Sequence, residues 1–244
     1  MRKVHRIDLS TETARNLQLL QNEADELRKA GTLQPDDHWK GNRRSQSILA
    51  ALAALRQMVG SRERCIYCVD SVASDIEHFR PKTPFPERMY VWTNLLIACT
   101  QCGRFKGSQF PLTEDGLPLL IDPTSEDPWE FLDYDPETGN INARFVLGAA
   151  EYSAKGTKTV EILRLDRREY LSSGYRKTHR RLAKLVSAWV ASGIPEDCIG
   201  QLTEADDHGL LGWCFNGSGQ NDPPFRDLRE RHPDAWAECQ RNFS

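Results

Sequence analysis

The chain has 244 residues, enough for one large domain or two small ones with a sizeable core. Apolar residues make up 39% and charged residues 27%, which excludes a disordered or fibrous protein. The net charge of −3 excludes a uniformly basic polyanion binder. It still allows one basic face, because ten Lys and Arg fall between Lys155 and Lys184 while nine acids and no Lys or Arg fall between Glu114 and Glu137.

In chain order, the first element is a helix over residues 10–30. Leu17, Leu19, Leu20 and Leu27 recur at roughly helical spacing, and Ser10 or Thr11 can cap it. Residues 31–44 hold Gly31, Pro35 and Gly41 and read as a connector. A second helix runs from Ser45 to Val59, with an apolar stripe of Ile48, Leu49, Leu52, Leu55 and Met58, and Gly60 stops it. Residues 62–111 carry the motifs treated below. Residues 112–150 read as loops and short strands, with apolar pieces at 117–121 and 141–146. Residues 158–189 are mostly helical, with a break expected near Ser172–Gly174. The last fifty residues read as short helices. Their aromatics Trp213, Phe215, Phe225 and Trp236 suit either a core or a docking surface. The division expected is a helical region over 1–60, a metal finger over 61–111 and a loop-rich, helical remainder over 112–244. The fold class expected is α+β, mainly helical with the finger embedded.

Seven cysteines include two C-x-x-C pairs, Cys65/Cys68 and Cys99/Cys102, set thirty residues apart. Four thiolates suit a closed tetrahedral zinc site that leaves no open position, so this zinc is expected to be structural. An odd cysteine count, no apolar run near ~20 residues and a charged start at Met1–Ser10 point to a reduced, cytoplasmic setting without a membrane span.

Between and after the knuckles stand Asp75-Ile-Glu-His78-Phe-Arg-Pro81-Lys, then Trp92-Thr-Asn94-Leu-Leu, then Gly103-Arg-Phe-Lys106. Phosphodiester hydrolysis needs a base to activate water and a cation to stabilise charge on the phosphate. His78 is the candidate base, and it is the one histidine in the block. Glu77 can hold a hard divalent cation, Mg²⁺ or Mn²⁺, through oxygen. Asn94 can tether the loop and orient the histidine. Arg80, Lys82, Arg104 and Lys106 are candidate phosphate contacts.

This block resembles the HNH, or ββα-metal, endonuclease superfamily, in the form braced by a four-cysteine zinc. The resemblance implies His78 as general base, Glu77 as metal ligand, Asn94 as the central Asn and Lys106 as the helix lysine. Gly103 departs from it: the family usually places Asn or His there as a second metal ligand. Weak metal binding, use of another acid such as Asp75, or an inactive site all remain open. Further residues extend the likeness: Pro86-Glu87, the run from Lys106 to Pro111, Leu120-Ile-Asp-Pro123, Asp127-Pro128, the run from Asp135 to Asn140 and the run from Thr159 to Arg167. Over roughly residues 45–180 the chain is similar to the PtuB-like HNH subunits of Septu and related retron anti-phage systems. That likeness implies an ABC-type, PtuA-like ATPase partner and a nucleic-acid substrate, DNA before RNA. The competing reading is a zinc-stapled nucleic-acid- or protein-binding module with an impaired site.

Overall fold

The computed structural model describes residues 1–243, a mainly helical chain with small two-stranded sheets. It divides into two compact units. One comprises residues 4–66 and 71–112; the other comprises residues 1–3 and 67–70 with the chain from Thr113 onward. Among the described residues no helix is long and apolar enough to cross a membrane.

The first unit begins with α1 (Thr11–Lys29), capped by Ser10, whose hydroxyl accepts the Thr13 N–H at 3.1 Å. Its inner face is Leu17, Gln21 and Ala24, while Leu19 stays 54% exposed. A short helix, α2 (Pro35–Asn42), occupies the expected connector. Pro35 opens it, because a first-turn proline gives up an N–H that has no helical partner anyway, and Asp36 and Asp37 favour the same end. Next, α3 (Gln46–Val59) starts at the Ser45 cap and ends at Gly60, whose φ of 85° suits glycine. It buries Ile48, Ala51, Leu55 and Val59; Leu49, expected in the stripe, is 52% exposed. The true inner face is therefore shifted toward the small residue Ala51, which lets α1 and β2 approach.

The unit's sheet pairs β1 (Asp75–His78) with β2 (Leu95–Ala98), antiparallel, with Glu77 opposite Leu96 and His78 opposite Leu95. All four β2 residues are buried, so this strand is the floor of the unit. The chain then turns into α4 (Thr100–Lys106). A hairpin followed at once by a helix is the frame on which the sequence motifs lie.

The second unit holds β3 (Leu132–Tyr134) paired with β4 (Ile141–Ala143), and a smaller hairpin of β5 (Phe145–Val146) and β6 (Glu151–Tyr152). The expected strand at 117–121 does not form, although Leu120 and Ile121 are buried. Helices follow: α5 (Ala154–Leu163), α6 (Glu169–Ser192), α7 (Cys198–Ala205), α8 (Leu211–Phe215), α9 (Phe225–Arg231) and α10 (Pro233–Asn242). The helix break lies at 164–168, where Arg164 takes a left-handed φ of 52°, and not at Ser172–Gly174. Gly174 is instead a point of close approach: a Cβ there would stand 2.7 Å from His208 Nε2. Trp213, Phe215, Phe225 and Trp236 are all buried and build this unit's core, so they form no exposed docking surface. Trp213 donates to Asp133 at 2.6 Å, which gives the indole N–H the partner a buried tryptophan needs.

The first turn of α5 lies against the sheet through Gly156. A Cβ there would sit 2.0 Å from the Phe131 carbonyl oxygen and 3.3 Å from Ala143 Cα. Both neighbours are backbone and cannot rotate away. Gly156→Ala is therefore expected to destabilise the protein by about 1–3 kcal/mol, read as a lower urea midpoint with an unchanged slope.

Candidate functional site

The four knuckle cysteines come together. Their sulfur atoms all lie within 4.8 Å of one another and all four residues are buried. A tetrahedral zinc with Zn–S bonds of ~2.3 Å needs sulfurs ~3.8 Å apart, so the donor set and its spacing fit Zn²⁺. Among the described residues no disulfide forms. The local chain folds to present these sulfurs. Around the first knuckle, Arg64 bridges Val72, the Cys65 N–H reaches the Ser71 carbonyl at 2.9 Å and Val69 takes a φ of 50°. At the second, Cys99 caps α4, and its sulfur accepts the Cys102 N–H at 3.4 Å. A helix N-terminus favours a thiolate.

Glu77 and His78 end β1. The His78 side chain is 5% exposed. Its Nε2 lies 3.0 Å from the Met89 carbonyl oxygen. A carbonyl only accepts, so Nε2 carries the proton and Nδ1 keeps a lone pair. Trp39 of α2 packs edge-on against the imidazole with ring centroids 4.5 Å apart. Burial drives the His78 pKa down to about 3; the charges of Lys82 and Lys106 lower it further, and the Met89 hydrogen bond opposes them. The ring is neutral at neutral pH.

Asn94 is 3% exposed, and its amide is fully engaged in tying down the loop between the strands. Oδ1 accepts the Arg80 N–H at 2.8 Å, and Nδ2 donates to the Arg80 and Arg88 carbonyls at 3.0 and 2.9 Å. Met89 follows Arg88 directly, so Asn94 fixes the carbonyl that holds His78 without touching the imidazole. Gln21 of α1 secures the same loop from outside, accepting the Tyr90 N–H at 2.8 Å and donating to the Pro86 carbonyl at 3.0 Å. Sequence reasoning missed Gln21 and Trp39. A polar residue inside the apolar face of α1 was the available signal for the first; α2, read as a connector, hid the second.

The basic candidates do not share one environment. Arg80 lies over Phe85 and Phe110, 5.4 and 5.1 Å from the ring centroids. Lys82 pairs with Asp36 at 2.8 Å, and Arg104 is exposed. Lys106 is fully buried, and its ammonium turns inward to Glu77 Oε1 at 2.9 Å and to the His78 carbonyl at 2.7 Å. Burial raises the Glu77 pKa and lowers that of Lys106, and their mutual attraction works against both shifts. Asp75, the alternative acid, accepts from Ser74 at 2.6 Å and from Thr100 at 3.2 Å at the exposed end of β1. In the second unit's basic segment, Arg176 and Arg181 bind the Thr138 and Ala205 carbonyls, while Lys177, Arg180 and Lys184 are exposed on α6.

A divalent cation finds less here than zinc does. Glu77 Oε1 already accepts from Lys106 and from the His78 N–H at 3.0 Å. Position 103, facing Glu77 Oε2 with its absent Cβ 3.2 Å away, has no side chain. Among the described residues the four cysteines are the only cluster of three or more His, Cys, Asp or Glu with metal-ligand spacing. One carboxylate oxygen does not hold Mg²⁺ or Mn²⁺ unaided.

The geometry defines a class of site: a hairpin-and-helix unit with a four-cysteine metal cluster, carrying a buried neutral histidine beside an acid. No family model matches the chain. The chain is a distant relative of the Septu protein PtuB of Bacillus thuringiensis, to which it is 28% identical over 116 residues. That match covers 46% of this chain and 40% of the relative's length.

Two outcomes follow from the site alone. Purified protein is expected to hold one zinc per chain by elemental analysis, and Cys68→Ser or Cys102→Ser is expected to lose the metal and unfold the knuckle, because the binding energy is folding energy. His78 is expected to stay neutral from pH 8 to pH 5 by ¹⁵N NMR of the ring. Its folded pKa lies below the unfolded 6.5, so the unfolded chain takes up a proton the folded chain refuses. Stability from this group is full above pH 6.5 and falls as pH drops toward 3, by up to about 1.4 kcal/mol per pH unit.

Proposed function

We propose that this chain is an HNH-class, ββα-metal nuclease that hydrolyses phosphodiester bonds, with DNA the first substrate to test and RNA the second. The observation that carries this reading is His78: a buried, neutral imidazole of fixed tautomer at the end of β1, beside Glu77. A surface or merely polar histidine needs neither the Met89 carbonyl nor the Trp39 edge. In this reading the Nδ1 lone pair takes a proton from the attacking water. Asn94 keeps the loop, and through Met89 the ring, in register. Arg80, Lys82 and Arg104 supply positive charge for the phosphates, and Lys106 holds Glu77. A phosphate anion arriving near Lys82 offsets that cation's lowering effect on His78, while burial, the largest cause of the depressed basicity, is unchanged by it. Glu77 Oε2 is the side-chain oxygen here that would hold Mg²⁺ or Mn²⁺, which would supply charge stabilisation for the leaving oxygen, with water and substrate oxygens as its other ligands. The four-cysteine zinc is structural.

The relative's name, Septu protein PtuB, agrees with the resemblance seen in the sequence, and that resemblance implies a biological setting. As a PtuB-like subunit, the chain would act in anti-phage defence, coupled to a PtuA-like ABC-type ATPase, in the cytoplasm. The rival reading is a zinc-stapled binding module with an impaired site, favoured by Gly103. Plasmid and RNA digestion with and without divalent metal separates the two. His78→Ala is expected to cut at least ~10²-fold more slowly while keeping its zinc and a cooperative unfolding transition, at a lowered melting temperature because a buried, hydrogen-bonded ring is removed. A folded His78→Ala protein with full activity defeats the mechanism.

A further inference from the structure

Lys106 is a buried lysine at the heart of the site whose role the nuclease reading does not exhaust. Its ammonium has no solvent exposure, lies 2.9 Å from Glu77 Oε1 and 2.7 Å from the His78 carbonyl oxygen, and so is committed to this one place. Glu77 is the acid that nuclease chemistry would use for a divalent cation, and its charge is already matched. The helix position facing its other oxygen, Gly103, supplies no ligand. The site is thus short of a ligand and already supplied with a cation.

We propose that Lys106 is a built-in counter-cation to Glu77 that opposes divalent-metal binding, so that charge, more than the missing ligand at Gly103, sets this chain's demand for its second metal. The inference rests on the nuclease reading for its biological meaning. Its physical basis is simple. A carboxylate's two oxygens are ~2.2 Å apart, so a cation ~2.1 Å from Oε2 would lie no more than ~7 Å from the ammonium held 2.9 Å from Oε1, in a largely buried setting where charges repel more strongly than in water. Lys106 also holds Glu77 in a fixed orientation through its 2.9 Å contact with Oε1, while its second contact, 2.7 Å to the His78 carbonyl, anchors the ammonium. Lys106 is a positioning residue in this scheme, acting through Glu77 and not on the substrate.

The test is Mn²⁺ affinity, read by electron paramagnetic resonance on zinc-loaded protein without nucleic acid. Lys106→Gln keeps donors for Glu77 and the His78 carbonyl but removes the charge; Lys106→Met removes both. Lys106→Gln is expected to bind Mn²⁺ at least ~10-fold more tightly than wild type, and Glu77→Gln added to it is expected to abolish the gain. Gly103→Asn, which adds a ligand but keeps Lys106, is expected to gain less. Zinc content and thermal unfolding show that each variant is folded; Lys106→Met serves as the second charge-removing variant, with the same expectation, if Lys106→Gln is not. Unchanged or weaker Mn²⁺ binding in the folded charge-removing variant overturns the proposal. So does a larger gain from Gly103→Asn than from Lys106→Gln. A wild-type protein that cuts neither DNA nor RNA at any Mn²⁺ concentration defeats the nuclease reading and leaves the affinity comparison standing.

Discussion

An isolated two-stranded hairpin is at best marginally stable in water, and β1 and β2 have only four residues each. Their ladder cannot hold Glu77 and His78 in place by itself. The hairpin is secured at both ends. At the open end the four-cysteine cluster joins the chain before β1 to the chain after β2. At the loop end Asn94 ties Arg80 and Arg88 together. Between them, the buried face of β2 packs against α3. Without these restraints the loop could move, the Met89 carbonyl would leave Nε2 and His78 would lose its fixed tautomer. The chemistry proposed for the imidazole is thus a consequence of backbone restraint several residues away.

Much of this was legible in the sequence where the physics is local. Two C-x-x-C pairs announce four converging sulfurs, whatever the surrounding fold. The cap at Ser10 and the stop at Gly60 help fix two helices because each acts on its nearest backbone. Asn94 was read as a loop tether, and its three hydrogen bonds fit that role. What was not legible depends on direction and distance. Pro35 is a breaker within a helix and a starter at its first turn, and the sequence does not say which. Gly174 looks like a break but marks where α6 passes His208. Lys106 has a side chain long enough to reach outward or inward, and only the packing around it shows that it turns toward Glu77. The aromatics of the last fifty residues pose the same problem, since a tryptophan suits a core and an interface equally well.

The site's polar groups differ in how well stability alone accounts for them. Asn94 makes three hydrogen bonds, all to the backbone of the loop, so a structural role is a sufficient reason for it. The cysteine cluster likewise repays its burial through folding. The Glu77–Lys106 pair is a different case. Taking two charges out of water costs several kcal/mol each, and apolar residues of similar volume often serve a core as well or better. His78 is buried with a lone pair left on Nδ1, beside a lysine whose charge makes protonation harder still. A module kept only for its shape gains little from either feature. The impaired-site reading explains Gly103 but gives no reason for retaining a desolvated base held by the Met89 carbonyl and the Trp39 edge. The nuclease reading accounts for the base, because a base must be neutral to accept a proton; the Lys106 ammonium on Glu77 works against a divalent cation and favours neither reading. That difference in what each reading leaves unexplained is what weighs the site toward catalysis.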